Sequence, residues 1–156
     1  MASDQAWDGA YLGESSLFLG LSNDEVQRLA ELAETRTYGD GETVVVEGSL
    51  GDSLYVLHDG AVEILTRDRG GNEVPLTTVT DQGAFFGEVA LVDPGPRSAT
   101  IRARGGARLL RFTVGRLETF FAEFPETQVL VLRNIARVLA RRLRESNVRY
   151  VAVSAG

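Results

Sequence analysis

No cysteine and no lysine occur anywhere in the 156 residues, and histidine occurs once, at His58. Without cysteine there are no disulfides and no thiolate metal sites. With one histidine, every metal centre that needs several imidazoles is excluded. Long apolar runs are missing too. The longest near the N-terminus is residues 17–21, far short of a signal-peptide core or the ~20 residues of a membrane-spanning helix. A cytoplasmic protein without a membrane partner is expected. No tract is biased toward the compositions that stay disordered, and 44% hydrophobic with 24% charged residues is ordinary for a globular fold. The length suits one domain, residues 1–156, with a core of its own.

The charge that is present is unevenly placed. Residues 1–125 hold 10 Arg against 20 Asp and Glu, a net of −10, whereas residues 126–156 hold 6 Arg against 2 Glu, a net of +4. An acidic body repels nucleic acid and anionic membrane. The basic tail reads either as a nucleic-acid patch or as a solvated helix end. Arginine near a helix C-terminus suits the dipole, which favours the second reading.

Ser22-Asn23-Asp24-Glu25 fits a capping box, flanked by Leu21 and Val26 at the staple positions. Val26, Leu29, Ala30 and Ala33 then recur at helical spacing, which predicts a helix over 23–34. Leu17, Phe18 and Leu19 form a short turn pinned to the same core. From Arg36 the period changes. Apolar or β-branched runs at 43–47, 54–58, 61–66, 75–79, 100–103 and 108–113 alternate with glycine-rich breaks. Asp59-Gly60 and Gly71-Asn72 suit tight hairpins, since glycine adopts positive φ without strain. Seven or eight short strands at this spacing predict an antiparallel barrel or jelly roll.

After Val114 helical spacing returns. Leu117, Phe120, Phe121 and Phe124 mark one helix, and Pro125 suits the first position of the next, which runs to about Tyr150. The expected architecture is mainly β with flanking helices: an N-terminal helical part over 14–34, a barrel over about 36–113 and a C-terminal helix pair over about 114–150. The long helix carries two apolar lines, Val129, Leu132, Ala136, Leu139 and Leu143, and Val131, Ile135 and Val138. One can face the barrel; the other needs a partner, which predicts a homodimer through this helix.

The chemistry concentrates in Phe86-Gly87-Glu88-Val89-Ala90-Leu91 and, after a short link, Pro96-Arg97-Ser98-Ala99-Thr100. Here the strand alternation stops for a glycine, a helical turn and a proline loop. Gly87 allows a sharp turn and close approach of the backbone. Amide N–H groups at the start of the turn seat a negative charge. Arg97 adds a planar charged fork suited to two phosphate oxygens, Ser98 a hydroxyl, and Glu88 a carboxylate for sugar hydroxyls.

This order resembles the phosphate-binding cassette of the cyclic-nucleotide-binding domain family, which includes the catabolite activator protein, protein kinase A regulatory subunits and cyclic-nucleotide-gated channels. Residues 17–33, Gly41-Glu42, Glu47-Gly48, the run from Leu54 to Gly60 and the Phe124-Pro125 break resemble the corresponding parts of that family. The resemblance implies that Glu88 accepts from the ribose 2′-hydroxyl, and that Arg97 and Ser98 bind the cyclic phosphate beside Gly87, Val89, Ala90 and Ala99. It also implies that Arg142 lies near the phosphate and Glu88, and that Ser146 and Asn147 touch the base. In the family, a threonine after the arginine favours guanine; Ser98 in that place points to cyclic AMP ahead of cyclic GMP. No separate cofactor is implied.

Nothing in the chain resembles the winged helix-turn-helix of the family's transcription factors, so no direct DNA binding is expected. Nor is an enzyme. His58 beside Asp59-Gly60 offers no nucleophile–base pair, and a metal-dependent cupin of similar strand pattern needs several histidines. The expected protein is a cyclic-nucleotide sensor that relays through its long helix to a homodimer or an unidentified effector. The alternatives are a ligand-free interaction module on the same fold and the sensor half of a DNA-binding regulator.

Overall fold

A computed structural model describes residues 10–155, with side chains described over 12–148. In chain order the elements are α1 (Ala10–Glu14), α2 (Asn23–Ala30), β1 (Glu34–Tyr38), β2 (Thr43–Val45), β3 (Ser53–Arg67), β4 (Glu73–Val79), β5 (Phe85–Phe86), α3 (Val89–Val92), β6 (Thr100–Thr113), α4 (Val114–Glu123) and α5 (Pro125–Ala155).

The strands form one antiparallel sheet in the order β1-β6-β3-β4, with β2 added on β6 and β5 on β3. Two long strands carry it. β3 and β6 pair along most of their length, Ser53 opposite Thr113 at one end and Leu65 opposite Thr100 at the other, with register shifts between Leu57 and Asp59 and between Gly60 and Val62. At the shifts the ladder kinks, and each long strand changes its second partner. The first half of β3 pairs with β5 and the second with β4, while β6 pairs first with β2 and then with β1.

This corrects two readings of the sequence. Asp59-Gly60 is no hairpin, and the break expected at Gly105-Gly106 does not end a strand; among the described residues six strands replace the seven or eight expected. Gly60 does adopt positive φ, at 90°, but inside β3 as a bulge. A Cβ there would fall 2.2 Å from the Gly106 carbonyl oxygen, so two glycine-bearing bulges press backbone to backbone. Gly71 does turn a hairpin, between β3 and β4, with φ 81°. Helix α2 also ends early, at Ala30, where the following residues tighten into turns.

Strand alternation sorts the core into two sets. Leu54 and Val56 of β3, with Leu110 and Phe112 of β6, face the helices, where they meet Leu17, Phe18, Leu29, Phe121 and Ile135. Tyr55, Leu57 and Val62, with Ile101 and Leu109, face the inside of the sheet against Phe86. Each fully buried leucine or phenylalanine contributes roughly 1.5–3 kcal/mol.

The helices are tied in at their ends. Ser22 and Glu25 complete the capping box, and Glu25 also accepts 2.5 Å from the Thr127 hydroxyl at the start of α5. These hydrogen bonds, Thr127 first, hold the Glu25 carboxyl below its ordinary range. Further along α5, Asn134 donates to the Leu17 and Leu19 carbonyls at 2.9 Å each. Val131, Ile135 and Val138 are buried against the sheet, while Val129, Ala136 and Leu143 are exposed. Among the described residues, no helix is long and apolar enough to cross a membrane.

Candidate functional site

Between β5 and β6 the chain leaves the sheet to build one wall of a cavity of about 300 Å³. Phe85 and Phe86 pair with Val56 and Tyr55, which fixes where the departure begins. Gly87 then turns with φ 78°, a conformation strained for any residue with a Cβ. The single turn α3 follows, with Ala90 N–H donating to Gly87 O at 3.2 Å and Leu91 N–H to Glu88 O at 3.0 Å.

The return loop is clamped to the loop before β3. Arg97 N–H donates to Ser49 O at 2.7 Å, and Gly48 N–H donates to Arg97 O at 2.8 Å. Gly51 N–H reaches Gly95 O at 3.1 Å, and Glu47 N–H reaches the Thr100 hydroxyl at 2.9 Å. The backbone of Arg97 is thus held on both sides, which aims its side chain across the Gly87 turn.

The guanidinium lies between two glycines. A Cβ at Gly87 would fall 2.6 Å from Arg97 Nη1, and one at Gly51 would fall 3.1 Å from Nε. Nη1 donates only a long hydrogen bond, 3.4 Å, to Gly87 O. Among the described residues Arg97 makes no ion pair. A half-buried guanidinium with uncommitted donors is a seat for an anion.

Glu88 differs in setting. It is 3% exposed, and its Oε1 accepts 2.6 Å from Arg142 Nη1 of α5. Arg142 also donates to Phe85 O at 3.4 Å and lies 5.8 Å over the Phe85 ring. A buried carboxylate needs such a partner, because desolvation without one costs several kcal/mol.

The rest of the lining is mostly apolar. Ile64 and Ile101, directly opposed across β3 and β6, lie with Phe86 and Leu139 on the lining of the cavity. An apolar chamber with a cation, a carboxylate and a hydroxyl on its wall suits a small anionic molecule with a flat apolar part. Among the described residues no group of His, Asp and Glu could hold a metal ion.

Eight of the residues expected from the sequence come together here: Gly87, Glu88, Val89, Ala90, Arg97, Ser98, Ala99 and Arg142 all line the cavity. Ser146 and Asn147 do not. They are exposed on α5, a turn or more beyond Arg142. Gly51, Ile64, Phe86, Ile101 and Leu139 line the cavity without having been singled out for it. Of these only Phe86 stood in the segment the sequence marked; Ile64 and Ile101 are brought together by the pairing of β3 with β6.

The sequence model of the cyclic nucleotide-binding domain matches residues 35–124, from β1 through α4. The "CRP-like cAMP-activated global transcriptional regulator" of Mycobacterium tuberculosis is 32% identical over 136 residues, 87% of this chain and 58% of that protein. The "Cyclic AMP receptor protein" of Thermus thermophilus is 34% identical over 134 residues, 86% of this chain and 60% of that protein. The chain therefore spans about three fifths of the length of these curated relatives. A crystal structure of the Thermus thermophilus catabolite activator protein superposes with a TM-score of 0.78 at 33% identity, covering 90% of this chain and 63% of that one.

Proposed function

Since the chain belongs to the cyclic nucleotide-binding domain family, we propose that it is a non-catalytic cytoplasmic sensor that binds cyclic AMP and relays occupancy through α5. The observation that carries this reading is Arg97: an unpaired guanidinium, bracketed by Gly51 and Gly87, on the wall of an apolar cavity that also holds the buried Glu88.

In the proposed pose the cyclic phosphate meets Arg97, the Ser98 hydroxyl and the amides of the Gly87 turn. The ribose hydroxyl donates to Glu88, whose carboxylate Arg142 already holds in place. The purine lies against the apolar part of the lining. The names of two relatives, one cAMP-activated and one a cyclic AMP receptor, support adenine over guanine, as does Ser98 in the place of threonine.

The relay rests on α5, because Leu139 and Arg142 belong both to the cavity lining and to the long helix. A ligand that prefers one placement of these residues biases how the helix packs, by no more than its differential affinity, typically about 1–3 kcal/mol. The exposed line Val129, Ala136 and Leu143, continued by half-buried Leu132 and Leu139, supports homodimer pairing through the same helix. Ser146 and Asn147 lie near the end of that line and are proposed to close over the base.

Calorimetric titration of the purified chain with cyclic AMP, cyclic GMP and cyclic di-GMP tests the proposal. Saturable one-site binding of cyclic AMP, tighter than either competitor, is the expected result. No heat with any of the three makes the domain a ligand-free interaction module.

A further inference from the structure

The exposed flank of α5 carries Arg133, Arg137, Arg141 and Arg144. Steps of four, four and three residues put them on one helix face, over roughly 16 Å of helix. Elsewhere on the surface several arginines hold carboxylates: Arg28 with Asp24, Arg36 with Glu34, Arg102 with Glu73 and Arg104 with Glu63. None of the four on α5 makes an ion pair among the described residues. Like charges at this spacing repel one another, so an acidic partner seated on the stripe would relieve that repulsion.

Beside it runs a second cavity of about 290 Å³, lined by Arg137, Arg141 and Arg144 together with Ser16, Leu19 and Val138. Leu19 is 53% exposed. Asn134, also on the lining, donates to the Leu17 and Leu19 carbonyls and so ties the N-terminal turn to α5. It therefore offers an apolar notch beside a row of cations that make no ion pair among the described residues.

We propose that this groove docks an acidic segment of another protein, one that presents carboxylates to the stripe and a single apolar side chain to Leu19. Charge selects this occupant. Residues 1–125 carry a net charge of −10, and residues 126–156 a net of +4. A long polyanion such as nucleic acid would run off the stripe onto a repelling body, whereas a short acidic segment ends where the arginines end.

The probe is a dye-labelled helical peptide with glutamates at the spacing of the four arginines and one leucine, followed by fluorescence anisotropy against the full chain. Binding that weakens with added salt is expected. Arg137→Glu with Arg141→Glu is expected to cost at least about tenfold in affinity, and Leu19→Ser several-fold, because both charge and notch are used. Arg69→Glu, an exposed arginine on the β3–β4 turn, is expected to leave affinity unchanged. The proposal is overturned if the parent does not bind the peptide or if Arg69→Glu weakens it as much as the paired reversal. It is equally overturned if an oligonucleotide of matching charge binds better, or if sedimentation shows that the stripe serves self-association. Leu19→Ser keeps the test decisive should the double reversal unfold.

Discussion

Glu88 and Arg97 share a cavity but stand in opposite electrostatic states. Glu88 is buried and already paired with Arg142, whereas Arg97 is partly open and unpaired. The carboxylate is held by Arg142 as an acceptor, and its proposed contribution is to read the sugar. On this account 2′-deoxy cyclic AMP binds the native protein more weakly than cyclic AMP does, and Glu88→Ala loses most of that discrimination. A double-mutant cycle by calorimetry checks it, and equal discrimination by both proteins removes Glu88 from the ribose. A second residue-scale prediction concerns the frame. Gly60→Ala would force a Cβ onto the Gly106 carbonyl at positive φ. Such strain costs about 1–3 kcal/mol before the clash is counted. Urea unfolding is expected to show at least that loss; a change below about 0.5 kcal/mol, the scale of an ordinary surface substitution, would mean that the bulge yields freely.

Helix α5 is anchored where it starts and exposed where it ends, and each end gives a prediction. At the start, Thr127 donates to Glu25, so two helices share one carboxylate. Because the Glu25 pKa is lowered on folding, its stabilisation is present above the unfolded carboxyl's value near pH 4.3 and is lost as pH falls through the folded value. Thr127→Val is expected to cost about 1 kcal/mol near neutrality, a modest figure because Glu25 stays partly solvated. The gap should close on acidification, as seen by thermal melts across pH; a gap independent of pH would contradict the linkage. At the other end, cyclic AMP is expected to slow amide exchange in residues 140–150. Protection confined to residues 88–100 would make α5 a strut rather than a relay. Elements set by local chemistry were legible in the sequence: the capping box at Ser22, the Phe124-Pro125 break and the cassette, whose residues are nearly contiguous. The long strands were not. A glycine at positive φ serves a hairpin and a bulge equally well, and the difference here lies in the pairing of Asp59 with Arg108 and of Gly60 with Ala107, far along the chain. Gly51, Ile64 and Leu139 escaped for the same reason, since only the sheet and α5 bring them to the cassette.

At the scale of the whole molecule, a bent antiparallel sheet holds the Gly87 turn and the Arg97 loop against each other, and α5 closes one side of the space between them. The acidic body and basic helix divide the surface into a face that repels polyanions and a strip that attracts carboxylates. All of this turns on Arg97 being an anion seat. Calorimetric titration of cyclic AMP into the native protein and into Arg97→Ala tests that most directly. Two charge-assisted hydrogen bonds are worth roughly 3–6 kcal/mol, so the variant should bind about 10²–10⁴-fold more weakly while keeping its fold by circular dichroism. A folded Arg97→Ala protein with native affinity for cyclic AMP would contradict the account.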